Sequence, residues 1–148
     1  MTAADAFDPS LVAKYASNNA SGFSLLTIAY LVDRGLSVED WAVWLGGHFA
    51  GPQTNWRPGM GAGEMAHEAA LEMVSMKARL LSVSGDDARS EVRLEWPARE
   101  DLAELGLRRE HIQEFWTAWQ PIAASVGLRF AVALDQDGVT TLRFFKNG

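Results

Sequence analysis

The chain is predicted to be α+β: N-terminal helices followed by two β-hairpins separated by a long helix, forming a roughly four-stranded antiparallel sheet covered by helices on one face. Three observations predict this. Residues 88–96, ARSEVRLEW, place Val92, Leu94 and Trp96 on one side of an extended chain and Arg89, Glu91, Arg93 and Glu95 on the other, as in a strand with one wet face. Residues 128–134 and 139–145 are two strand-like runs joined by Asp135-Gln136-Asp137-Gly138, and Asp-Gly is a hairpin turn signal. Between the two pairs, Ile112, Phe115, Trp116, Trp119, Ile122, Ala123 and Val126 recur at helical spacing. The 148 residues fit one domain, long enough to bury about 68–70% of the unfolded surface without a disulfide or metal staple.

Each element has a local reason. Residues 1–8 read as a flexible lead-in, after which Asp8 caps a helix with Pro9 at its first position, where the missing N–H costs little. Asn18-Asn19-Ala20-Ser21-Gly22 reads as a break. A second helix is predicted from Ser24 to about Arg34, and its Leu25, Leu26, Ile28, Ala29, Tyr30, Leu31 and Val32 make it apolar nearly all round, as expected of a buried central helix. Ser37 is a good cap for a third helix carrying Trp41, Trp44, Leu45, His48 and Phe49 along one face. Gly46 and Gly47 weaken its last turn, each by roughly 1 kcal/mol of propensity relative to Ala.

After a long Pro/Gly loop, the Ala-rich run 64–71 predicts a short helix, and the alternation of Val74, Met76, Ala78 and Leu80 with polar residues predicts a strand over 74–80. Gly85-Asp86-Asp87 supplies the turn to the strand at 88–96, and Pro97 stops the pairing. Residues 100–105 form a short helix ended by Gly106. The long helix then opens near Arg108, with a kink or split expected at Pro121, which removes a helical hydrogen bond. The core order helix, two strands, helix, two strands resembles small-ligand-binding domains of the 4-vinyl-reductase and haem–nitric-oxide-binding type. The resemblance implies a fold alone: the cysteines and metal pattern of several such domains have no counterpart here, and no residue roles carry over.

Composition narrows the function. With no cysteine the chain has no thiolate chemistry and suits a reducing compartment. No signal-like or membrane-spanning run is present, so the chain reads as cytoplasmic, with no membrane partner. Nineteen acidic against 13 basic residues, and a single adjacent basic pair, Arg108-Arg109, argue against nucleic acid as a partner. Six tryptophans are a heavy aromatic load for this length, and such side chains line both cores and ligand pockets.

The best site candidate is the segment 37–63. Trp41, Trp44, His48, Trp56 and Trp116 are the expected ligand-binding residues, around an apolar or aromatic pocket between sheet and helices, with the loop from Pro52 to Gly61 as a lid. His48 is alternatively a helix-terminal histidine facing its own last carbonyls. Glu64 and His67 form a single E-x-x-H pair, where a di-iron site needs two copies and further carboxylates; Glu64, Glu68 and Glu72 also read as a solvated acidic stripe. Gly59, Gly61 and Gly63 lack the strand–loop–helix context and lysine of a phosphate loop. The leading expectation is a sensory or binding domain for a small apolar or aromatic ligand. The alternatives are a small hydrolase or isomerase using His48 or His67 with Glu64, and a homodimeric interaction module. The sequence names no cofactor.

Overall fold

In the computed structural model, which describes residues 7–51 and 56–148, helices cover one face of a four-stranded antiparallel sheet. The elements are α1 (Pro9–Asp33), α2 (Val38–Phe49), α3 (Ala62–Ser75), β1 (Arg79–Gly85), β2 (Arg89–Glu95), α4 (Arg99–Leu105), α5 (Arg109–Phe115), a 3-10 turn (Trp116–Ala118), α6 (Trp119–Ser125), β3 (Arg129–Leu134) and β4 (Thr140–Phe145). The sheet order is β1-β2-β4-β3. Residues 1–6 of the expected lead-in lie outside the described residues.

The alternation in β2 and β4 fixes which face is covered. Ser90, Val92 and Leu94 pair with Phe144, Leu142 and Thr140, and all six are buried under the helices. The other side chains face water, where Arg143 donates to Glu91 at 2.8 Å and Arg79 meets Glu95 at 3.3 Å. The layer against the sheet is α3, whose Met65, Ala66, Ala69, Ala70 and Met73 are buried, together with α5 and α6. Small alanines let α3 lie close to the strands. The Ser90 hydroxyl donates to the Ala62 carbonyl at 2.6 Å, and the Ala62 N–H donates to the Asp87 carbonyl at 2.9 Å, which ties the start of α3 to the first hairpin.

Three expectations are corrected, and a fourth, the split of the long helix, is met one turn early. The break at residues 18–22 does not form: α1 runs unbroken for 25 residues. Gly22 stands in open space with nothing to bend around, and the hydroxyls of Ser24 and Thr27 donate back to the Ala20 and Phe23 carbonyls without interrupting the helix. The apolar segment 24–34 is not the central helix either, because only Leu25 and Ile28 of it are buried; α3 takes that place. The strand expected over 74–80 starts at Arg79, since α3 continues to Ser75 and buries Met73 on its own period. The long helix splits one turn before Pro121, into α5 and α6 joined by the 3-10 turn. The caps at Asp8 and Ser37 form as expected: Asp8 accepts from the Ser10 N–H at 2.9 Å and Ser37 from the Asp40 N–H at 3.0 Å.

Candidate functional site

The split between α5 and α6 shapes the helical layer. At the 3-10 turn the backbone of Ala118 comes against Gly46 of α2 so closely that a Cβ on Gly46 would lie 2.8 Å from both the Ala118 carbonyl carbon and Pro121 Cγ. Glycine at this position therefore lets two backbones touch. On one side of that contact the aromatic side chains pack solidly: Trp41 stacks on Phe115 at 5.8 Å, and Trp96 meets Phe115 and Trp116 at 5.3 and 5.8 Å. On the other side they do not close. Trp56 stands edge-on to Trp119 at 5.5 Å, and beside them opens a crevice of about 120 Å³.

The walls of this crevice are helical apart from Trp56, which comes from the segment between α2 and α3. Leu45 and Phe49 come from α2, Met73 and Met76 from the end of α3, Phe115 from α5, and Ala118, Trp119 and Ile122 from the turn and α6; Ser24 of α1 completes the rim. The lining is almost wholly apolar, with two polarizable, adaptable methionines beside four aromatic side chains, Phe49, Trp56, Phe115 and Trp119. Glu72 is its one ionisable group. Removal of water from its inner side, and the negative charge of Glu68 one turn away, hold the Glu72 carboxyl above the usual range, although its outer side remains exposed.

The expected site residues divide between this crevice, its supporting wall and the surface. Trp56 lines the crevice. Trp41 and Trp116 stand behind it through their contacts with Phe115, and the buried Trp116 indole N–H meets no acceptor among the described residues. Trp44 and His48 pack against each other at 4.4 Å on the outer face of α2, where Trp44 is 61% exposed. Neither reaches the crevice. No strand residue lines it, because the inner sheet face is filled by Val92, Leu94, Leu142 and Phe144, all fully buried. Of the expected lid, residues 52–55 lie outside the described residues, while Met60 is buried.

No protein-family model matches this chain, and comparison with curated proteins and with solved structures gives no match. The site therefore rests on its own geometry. Glu64 pairs with the Arg57 guanidinium, and His67 is exposed on the outer side of α3. Among the described residues no group of three or more His, Asp or Glu side chains is placed to hold a metal ion. Gly61 lies against the Asp87 carboxylate, the wrong charge beside a phosphate.

Met73, Met76, Glu72 and Ser24 are the crevice residues that the sequence reading missed. The spacing of the two methionines, three residues apart, is helical, but the alternation of Val74, Met76, Ala78 and Leu80 looks equally like a strand. Trp119 and Phe115 were visible as an apolar stripe, and periodicity cannot separate a stripe that is filled from one that leaves a gap.

Proposed function

We propose that this chain is a binding domain for a small apolar or aromatic group, held in the crevice beside Trp56 and Trp119. The observation that carries the reading is an almost wholly apolar crevice between α2, α3, α5 and α6 with a single carboxyl in its lining. Pockets for drug-sized ligands measure roughly 300–1,000 Å³. A dry apolar cavity of about 150 Å³ takes one benzene ring. A crevice of about 120 Å³ thus suits one ring or a short branched alkyl chain, with any larger remainder of the molecule in solvent. When ionised, the Glu72 carboxylate accepts hydrogen bonds and favours a ligand whose polar end donates them.

The test is titration of intrinsic tryptophan fluorescence with toluene, benzylamine and benzoate. Trp56 and Trp119 report directly. The expected order of affinity is benzylamine, toluene, benzoate, with Glu72→Gln abolishing the preference for the amine. The double variant Leu45→Phe/Met76→Phe fills the crevice from two sides and should lose the response, whereas His48→Ala should keep it. A response that survives the filled crevice, or no saturable response to any of the three compounds, would rule the site out.

A further inference from the structure

The surface of α1 carries a second feature, independent of the crevice. Ser21, Leu25 and Ile28 fasten the helix to the body, with the Trp96 indole N–H donating to the Ser21 hydroxyl at 3.1 Å. The opposite face is apolar and bare. Val12, Ala16, Asn19, Phe23, Leu26 and Tyr30 are spaced alternately four and three residues apart, which is the heptad seam of a two-stranded coiled coil. All six are exposed, Phe23 at 69%, Leu26 at 57% and Tyr30 at 54%. From Tyr15 to Val32 there is not one Asp, Glu, Lys or Arg. Charge is depleted in this way at interface cores, and a helix face left in water normally carries some.

The first half of α1 has still less support. Between Pro9 and Ala20 every residue except Ser17 is exposed, so about 18 Å of helix projects past the body. Isolated helices shorter than about 12–15 residues are marginal in water. This arm needs something to lie on.

We infer that α1 pairs antiparallel with α1 of a second copy of this chain, with the two-fold axis level with Ser21. Three features select a second copy in this orientation. First, the seam is self-complementary: residue numbers that sum to 42 face each other, so Val12 meets Tyr30, Ala16 meets Leu26 and Asn19 meets Phe23, each twice. The projecting arm of each copy then covers the bare stripe beside the other's body. Second, the same register sets Asp8 level with Arg34, whereas a parallel pair would set each against its own like charge. Third, the area suffices. Aromatic side chains bury about 150–250 Å² each. Phe23 and Tyr30 on the seam and Tyr15 flanking it, all more than half exposed, with Val12, Leu26 and the small flanking residues Ala13 and Ala20, give on the order of 600 Å² per copy, near the roughly 800 Å² per partner of a standard interface.

Light scattering and non-reducing gels test this directly, and the absence of native cysteine makes the gels clean. The wild-type chain should have twice its monomer mass of 16.2 kDa, and Phe23→Glu should halve the observed mass while helical circular dichroism persists through the body. A mixture of Ala16→Cys and Leu26→Cys chains should cross-link, and Leu26→Cys alone should not, because its two copies stand about 15 Å apart along the axis. A wild-type monomer from micromolar to millimolar concentration would overturn the inference. So would a monomer that binds phosphatidylcholine vesicles, which would assign the stripe to a lipid surface. Cross-linking of Leu26→Cys with itself would overturn the antiparallel register.

Discussion

Gly46 and Gly47 are adjacent in one helix and should respond in opposite directions to the same substitution. By helix propensity alone each Gly→Ala change gains roughly 1 kcal/mol. Gly47 has nothing within 4 Å of an added Cβ, so Gly47→Ala should realise that gain. At Gly46 the new methyl would enter the Ala118 carbonyl and lie 2.8 Å from Pro121 Cγ. Overpacking costs typically about 1–3 kcal/mol. Because the neighbour here is backbone, which cannot swing aside as a flexible side chain does, the upper end applies, and the net destabilisation is about 2 kcal/mol after the propensity gain. For a domain near this size each kcal/mol moves Tm by about 2–4 °C. Gly47→Ala should therefore melt about 2–4 °C above the wild type and Gly46→Ala about 4–8 °C below it. Differential scanning calorimetry of the three proteins decides the matter. Equal or higher stability of Gly46→Ala would show that α2 does not rest on the turn between α5 and α6, and the crevice bounded by that contact would lose its wall.

Two further substitutions probe the parts that position the site. Ser21→Ala removes the acceptor of the buried Trp96 indole N–H at little change of volume. An unsatisfied buried donor costs about 1–3 kcal/mol, so urea unfolding should show that loss with an unchanged m-value; no loss would mean that the hydrogen bond does not anchor α1. Glu72 supplies the pH test. Its carboxyl is held above the usual range in the folded chain, so it favours folding fully only below the unfolded value of 4.5, and that contribution disappears as pH rises through the folded value. Glu72→Gln should therefore be more stable than the wild type at pH 7, with the difference closing as the pH falls below the ordinary carboxylate range. A constant difference across pH would contradict the desolvation of Glu72.

The sheet was largely legible because its signals are local. Alternation along 88–96 and the Asp135–Gly138 turn need no knowledge of what packs against them. Helix termini at Asp8 and Ser37 were legible for the same reason, since a cap is satisfied within three residues. What could not be read depends on distant partners. Gly22 sits where a break was expected, yet helix propensity at one residue is worth about 1 kcal/mol and the anchoring of Ser21, Leu25 and Ile28 on the body outweighs it. The all-round apolar character of 24–34 is plain in the sequence but does not translate into burial, since only Leu25 and Ile28 of it face the body. Gly46, taken as a weak point, is where α2 packs closest. Trp56 was picked out for its loop, and its neighbours Trp119 and Met73 could not be, because a gap between helices is a property of their crossing and leaves no mark on the period of any one of them.

The most direct measurement is a methyl spectrum of the protein labelled at its methionines, recorded as benzylamine is added. Met73 and Met76 line the crevice, while Met65, fully buried in the first turns of α3, does not. The account predicts saturable shifts at Met73 and Met76 with a common affinity, and an unmoved Met65. Shifts absent from both crevice methionines, or spread equally over all of them without saturation, would contradict it.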